Sequence, residues 1–149
     1  MSNSYDKSAV LAVLDEILEL ELAGVIRYTH YSLMIFGNSR IPIVKWFKEQ
    51  ALESLDHAHR VGELITHLDG HPSLGIGALL ETHKHSIVDI LRESLEHEKG
   101  GVNCYKKLHD LVKDKSILLE EYARQMIVEE EMHIGEVAKM LRNPADMKD

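Results

Sequence analysis

Four apolar stripes at helical spacing run along the chain, and each is interrupted near its middle by a glutamate or a histidine. Apolar residues that recur at i, i+3, i+4 and i+7 are typical of helices that bury one face. An ionised side chain on a buried face is unfavourable by several kcal/mol unless it is paired or bound to a metal. Interruptions at one level of all four stripes therefore predict a polar, metal-binding site inside a helical bundle.

Three prolines and the turn before Ser116 cut the chain into four helical segments. The predicted helices cover residues 8–36, 42–69, 82–113 and 116–142. No stretch alternates with period 2, so we expect an all-α, antiparallel four-helix bundle that forms a single domain over residues 1–149. The connection between the second and third helices is the longest, and it carries the chain from one end of the bundle to the other. Helices one and two are then neighbours, as are helices three and four.

The composition excludes several classes of protein. The 149 residues carry a formal net charge of −8 without a Lys/Arg-rich run, which argues against binding to a nucleic-acid backbone. The single cysteine, Cys104, excludes an internal disulfide and a cysteine-based zinc finger. No apolar run has the length of a membrane span, and Met1–Lys7 lacks the apolar region of a signal peptide. We expect a soluble cytoplasmic protein with neither a membrane nor a nucleic acid as its partner.

The candidate metal ligands repeat in the two halves of the chain. Glu21 precedes His57 by nearly the same number of residues as Glu98 precedes His133. Glu130 and His133 form a Glu-x-x-His pair, which puts both side chains on one face of a helix. One glutamate from each of two helices, with glutamate and histidine from the other two, is the ligand set of a di-iron carboxylate bundle.

With these residues the chain resembles the bacterioferritin branch of the ferritin-like family, from about residue 8 to 142. The shared motifs are Glu21-Leu22-Ala23-Gly24…Arg27-Tyr28, His57-Ala58 with Gly70-His71-Pro72, Ser94-Leu95-Glu96-His97-Glu98, and Glu129-Glu130-Glu131-Met132-His133-Ile134. The resemblance implies a four-helix bundle with two iron ions in each subunit, usually within a hollow cage that stores ferric mineral. It assigns the ligand roles to Glu21, His57, Glu98, Glu130 and His133, with Tyr28 beside the site.

The second helix departs from the family's pattern at two adjacent positions. Ser54 stands where the family has the glutamate of a second Glu-x-x-His. Glu53 forms an i,i+4 pair with His57, so we include Glu53 as the sixth candidate ligand, with a solvated flank residue as the competing interpretation. Leu55 stands where bacterioferritins bind haem through a methionine, so we expect no haem. Carboxylate and imidazole ligands would also accept manganese or zinc.

The expected function is that of a ferroxidase, which oxidises Fe(II) with O₂ or H₂O₂ for iron storage or detoxification. One alternative is a di-iron peroxidase or oxidase similar to rubrerythrin, although the chain has no Cys-x-x-Cys electron-transfer module. Another is a non-catalytic assembly subunit with a degenerate site. Outer faces rich in Leu, Ile and Trp46 predict a homo-oligomer, a dimer at least, with a multi-subunit cage left open.

The other chemistry-bearing residues are interpreted as structural or solvated. Tyr105 follows Glu98 at i+7, as Tyr28 follows Glu21, but it is taken as an ordinary core tyrosine. Glu129 and Glu131 flank the Glu-x-x-His pair on other faces of the helix and are expected at the surface. Surface histidines, with a metal site as the alternative, are expected around the long connection at His67, His71, His83 and His85.

Overall fold

The computed structural model describes residues 4–146, and these residues contain helices and no strand. The helices are α1 (Lys7–Met34), α2 (Arg40–His67), α3 (Ile87–Val112) and α4 (Ile117–Leu141), followed by a short 3-10 helix at Pro144–Asp146. Helix α1 packs on α2 and α3, and α3 packs on α4, which confirms the predicted all-α four-helix bundle. None of the helices in this part of the chain combines the length and apolar character needed to cross a bilayer.

Side-chain caps determine where three of the helices begin. The Asp6 carboxylate accepts from the Ala9 N–H at the start of α1, and Ser116 caps α4, as its sequence position indicated. Helix α3 begins at Ile87 after its cap Ser86, so the predicted start at residue 82 is wrong. The residues before Ser86 are instead held outside the helix, because the Thr82 N–H and hydroxyl both donate to Glu93.

A buried ion pair attaches the long connection between α2 and α3 to the bundle. The Arg27 guanidinium lies 3.4 Å from the Glu93 carboxylate, and both side chains are buried. Arg27 also donates to the Leu80 carbonyl at 3.0 Å, while the Gly77 N–H donates to the Glu19 carbonyl at 2.8 Å. Removing either partner of a buried pair leaves an uncompensated charge, so this contact fixes the path of the connection across α1.

The apolar core is divided into two clusters along the bundle. One cluster contains Leu14 of α1 and Met126 of α4, and the other contains Phe47 of α2 and Val137 of α4. On each helix, a buried polar side chain lies between the residues of the two clusters: Glu21, His57, Glu98 and Glu130. We call this group, together with His133, the polar layer.

Candidate metal centre

The polar layer brings together five of the predicted ligands from four helices. Glu21 comes from α1, His57 from α2, Glu98 from α3, and Glu130 with His133 from α4. The four side chains other than His133 are fully buried, and the His133 side chain is 13% exposed. Three carboxylates so removed from water need protons or a cation to remain there.

On one side of the layer, His57 faces two carboxylates through the same ring nitrogen. Its Nδ1 lies 3.5 Å from Glu21 Oε2 and 3.4 Å from Glu130 Oε1. One donor atom from each of the three residues lies within 4.8 Å of the others. Imidazole nitrogen and carboxylate oxygen at such separations can share one transition-metal ion.

On the other side, His133 and Glu98 face each other. His133 Nε2 lies 3.7 Å from Glu98 Oε1 and has no hydrogen-bond partner among the residues that the structure describes, although the atom is buried. Glu98 is hydrogen-bonded to Glu130, which therefore connects the two sides. A buried imidazole nitrogen that lies near a buried carboxylate without a hydrogen bond is the arrangement expected of two metal ligands in the absence of their ion.

Burial and mutual contacts shift the pKa values of the residues in the polar layer. Burial raises the pKa of Glu98, and its hydrogen bond to Glu130 raises that pKa further. Burial acts to raise the pKa of Glu130 as well, but hydrogen bonds to Glu98 and His57 lower it overall. Burial lowers the pKa of His57, but Glu130 and Glu21 outweigh it and raise the pKa to about 10. These shifts favour the protonated form of Glu98, the ionised form of Glu130 and the cationic form of His57, and a bound cation would displace the protons.

Two tyrosines bind Glu21 and Glu98, which we call the outer glutamates of the polar layer, in a reciprocal arrangement. The Tyr28 hydroxyl of α1 donates to Glu98 Oε1 of α3. The Tyr105 hydroxyl of α3 donates to Glu21 Oε1 of α1 at 2.9 Å. Tyr105 is thus a structural counterpart of Tyr28, although the sequence was interpreted as giving an ordinary core tyrosine there. The equal i+7 spacing was the signal for this role.

The second helix contributes no carboxylate to the layer itself. The Glu53 side chain is 48% exposed, and its Oε1 lies 3.8 Å from Nε2 of His57, the other ring nitrogen. Glu129 Oε2 lies 3.2 Å from the same Nε2. The sequence did not predict this contact, because Glu129 was expected only to face solvent. Ser54 is buried and packs against Gly24, where an added Cβ would lie 2.8 Å from the serine hydroxyl.

The two glutamates lie between α2 and α4, whose side chains also meet where Trp46 stacks on His133. No described Cα atom of α2 lies within 8 Å of one in α4, unlike the other neighbouring helix pairs. The predicted exposure of Glu129 agrees with its 43% exposed side chain, and Arg60 lies 3.5 Å from its carboxylate. This face therefore offers a cation an acidic approach to the layer.

Aromatic rings enclose the His133 side of the layer. The Trp46 ring stacks on the His133 ring at 5.4 Å between centroids and 9° between planes. Trp46, which the sequence placed on an outer face, is partly buried and also packs against the core. His97 lies 6.2 Å from the Tyr28 ring, and burial, aided by the charge of Arg27, lowers the pKa of His97 to about 4. Neither residue stood out as part of the site in the sequence.

Comparison with known proteins gives the chain a family match. The family model described as "Ferritin-like domain" matches residues 11–147. None of the curated proteins matches the chain.

Solved structures from three bacteria have the same fold. A ferritin-like, diiron-carboxylate protein from Bacillus anthracis aligns with a TM-score of 0.85 and 21% identity, over 93% of this chain and 99% of that one. The dodecameric thioferritin of Bacteroides fragilis, a bacterioferritin-related protein, aligns with a TM-score of 0.83 and 20% identity, over 92% of this chain and 86% of that one. The bacterioferritin of Rhodobacter capsulatus, with a metal-free dinuclear site and haem iron, aligns with a TM-score of 0.81 and 18% identity, over 93% of this chain and 86% of that one.

Proposed function

Because the chain belongs to the ferritin family of ferritin-like domains, we propose that its polar layer binds two iron ions per chain and oxidises Fe(II) with O₂. Iron storage or detoxification is the role that this activity would serve. The observation that carries the proposal is the convergence of three buried carboxylates and two imidazoles from all four helices. The diiron and dinuclear sites of the B. anthracis and R. capsulatus proteins support it.

The residues present fit a two-iron centre. Glu21 and His57 would hold one ion, Glu98 and His133 the other, and Glu130 lies where it can bind both. The unpaired, buried Nε2 of His133 supports this fit. Two Fe(II) ions at such a centre supply the two electrons that reduce O₂ to the peroxide level.

The protein's own contribution is to orient the carboxylates and to exchange protons. Tyr105 holds Oε1 of Glu21, which leaves Oε2 facing His57. Tyr28 holds Oε1 of Glu98, the oxygen that lies toward His133. Glu98 and His57 must each release a proton before an ion can take its place. Trp46 keeps water from the face of the His133 ring.

Glu53 is the carboxylate that we propose as the ligand from α2. Its side chain borders the same small pocket as His57, Glu98 and Glu130. Three side-chain torsions allow a half-exposed glutamate to turn toward that pocket without moving the helix. Glu129 is the competing carboxylate, because it is closer to His57.

We infer that the centre operates without haem. Leu55, 37% exposed on α2, offers no atom that can ligate iron where bacterioferritins use methionine. Protein produced with ample haem should show no Soret absorption band. A stoichiometric Soret band would contradict this inference.

We propose that the chain forms a homo-oligomer. Large apolar side chains are exposed on α1 and on the connection at Ile26, Leu33, Leu79 and Leu80. The relative from B. fragilis is dodecameric, which supports assembly but does not fix the number of subunits here. Light scattering at micromolar concentration should give at least a dimer, and a monomer would contradict the proposal.

The decisive experiment is an anaerobic Fe(II) titration followed by exposure to O₂. We expect two iron ions per chain before O₂ is added, and rapid formation of Fe(III) absorbance afterwards. Repeating the second step with H₂O₂ distinguishes the rubrerythrin-like alternative, for which peroxide would be the faster oxidant. Uptake of one ion or fewer per chain would contradict the two-iron proposal.

The second candidate function is a non-catalytic assembly subunit. The buried Ser54 and the half-exposed Glu53 favour it, because α2 then supplies only His57 to the layer. Such a subunit would bind one ion or none and oxidise Fe(II) no faster than buffer, while still forming the oligomer. The same titration therefore separates the two candidates.

A further inference from the structure

A second group of potential metal ligands lies outside the polar layer and shares no residue with it. His30 belongs to α1, whereas Glu81 and His85 belong to the connection before α3. His30 Nε2 lies 3.1 Å from Glu81 Oε2, and His85 Nε2 lies 3.5 Å from Glu81 Oε1. One donor atom from each residue lies within 4.8 Å of the others. We call this group the outer cluster.

The distances in the outer cluster match those between ligands of one metal ion. Zinc binds imidazole nitrogen and carboxylate oxygen at about 2.0–2.2 Å, so two ligands at tetrahedral corners lie about 3.4 Å apart. His30 Nε2 lies 3.1 Å from one carboxylate oxygen of Glu81 and His85 Nε2 lies 3.5 Å from the other, both close to that value. A single Glu81 oxygen lies within 4.8 Å of both nitrogens. The two histidine rings lie 6.3 Å apart and are inclined by 71°, so they approach the carboxylate from different directions.

The buried ion pair under the connection holds Glu81 in place from both sides. The residue before Glu81, Leu80, accepts from Arg27 through its carbonyl. The residue after it, Thr82, donates to Glu93 through its N–H and its hydroxyl. Arg27 and Glu93 are themselves buried and paired. A ligand attached to such a fixed backbone loses little conformational entropy on binding a cation.

The turn after Glu81 places the third ligand. His83 has a positive φ of 58°, and its N–H donates to the Glu81 carboxylate, which reverses the chain and brings His85 back over Glu81. His85 Nε2 is buried and has no hydrogen-bond partner among residues 4–146. The His30 and Glu81 side chains are 47% and 35% exposed, so an ion can reach the cluster from solvent.

We propose that His30, Glu81 and His85 bind one divalent transition-metal ion, with Zn(II) as the reference ion. Two imidazoles and one carboxylate are a ligand set that zinc accepts with water in the fourth position. Hard cations such as Mg²⁺ and Ca²⁺ prefer oxygen ligands and should bind here far more weakly. The bound ion would connect α1 to the segment that leads into α3.

Calorimetric titration of the full chain with Zn(II) tests the proposal. The wild type should bind one more equivalent than His30→Ala or Glu81→Gln, or each variant should lose at least about tenfold in affinity at one site. His83→Asn is the matched control: it removes a neighbouring histidine, and asparagine tolerates the positive φ. This control should bind zinc like the wild type. Circular dichroism checks that every variant is folded.

The Glu130→Gln background separates the outer cluster from the polar layer. In that background the outer cluster should still take up one Zn(II), and adding His30→Ala should abolish this uptake. Saturating zinc should also raise the melting temperature of Glu130→Gln by more than that of the double variant. Equal zinc uptake and affinity with and without His30 and Glu81 would overturn the proposal, whatever the polar layer binds.

Discussion

The α1–α2 half and the α3–α4 half of the bundle carry similar ligand patterns, but only the second half completes its pattern. In α4, Glu130 and His133 both reach the polar layer. In α2, His57 reaches it alone, and the nearest carboxylate on that helix, Glu53, stays half exposed. Each outer glutamate is bound by a tyrosine of the opposite half, so the outer ligands remain symmetric.

The difference shows that moving a glutamate by one position along a helix decides whether its carboxylate faces the polar layer or solvent. One residue rotates a side chain by about 100° around the helix axis. Glu130, three residues before its histidine, lies on the side of that histidine that faces the interior, whereas Glu53, four residues before its histidine, lies on the opposite side of it and faces solvent. Ser54 occupies the inward position and packs against Gly24.

Glu130→Gln should have the largest effect, because Glu130 contacts both halves of the layer. An amide cannot supply the negative charge that two cations share, so we expect Fe(II) oxidation to fall by more than about 100-fold and iron binding to fall with it. Stopped-flow absorbance after mixing with O₂ measures the rate, and anaerobic titration measures the binding.

Glu131→Gln is the control for that substitution. Glu131 is the next residue along α4, but its carboxylate is exposed and lies 3.3 Å from Lys106 at the surface. We expect less than a twofold change in oxidation rate, in line with the small value of exposed ion pairs. Similar losses in both variants would mean that the α3–α4 half does not house the centre.

Glu53→Ala tests whether the incomplete half acquires its carboxylate when iron is present. If Glu53 turns inward, its removal should cost one of two iron ions per chain and slow oxidation by about tenfold or more. Glu129→Ala is the matched comparison, because both carboxylates lie near Nε2 of His57. A loss in Glu129→Ala with none in Glu53→Ala would assign the role to α4 instead. No loss in either would leave the α1–α2 half with His57 and Glu21 alone.

Ser54→Glu should make the two halves alike. A fourth buried carboxylate in the metal-free layer should destabilise the apo protein by about 1–3 kcal/mol, because it adds a desolvated group without a partner. Iron should recover that stability and bind at two equivalents per chain. Thermal melts with and without Fe(II) under anaerobic conditions measure both effects. An unchanged apo melting temperature would show that the new side chain does not enter the layer.

The two halves should also respond to pH in opposite directions. The pKa of His57 is raised from 6.5 to about 10, so its stabilisation of the metal-free protein is complete below pH 6.5 and is lost as the pH rises through 10. The pKa of His133 is lowered, mainly by burial, so His133 destabilises the fold as the pH falls below 6.5.

The matching measurement is the melting temperature of the metal-free protein against pH. His57→Gln should flatten the alkaline fall between pH 6.5 and 10, and His133→Gln should flatten the acid fall below pH 6.5. Two variants with the same pH profile would contradict the assignment of opposite protonation states to the two histidines.

Much of this architecture could be predicted from the sequence because it depends on periodic features. Helical spacing marked the stripes, and Ser116 was recognised as a helix start. Glu21, Glu98 and Glu130 were identified as buried because they interrupt apolar faces. The start of α3 was misplaced, since the contact of Thr82 with Glu93 depends on tertiary structure rather than on local propensity.

The sequence by itself determined which residues face the interior, because the helical repeat fixes each side chain's direction relative to its own helix. Tertiary structure decided which side chains meet across helices: Tyr28 with Glu98, and Tyr105 with Glu21. It also brought His30 to Glu81 and His85, residues that no local pattern connects. These contacts depend on helix rotation, on crossing geometry and on the path of a long connection, which arise only when the whole chain packs together.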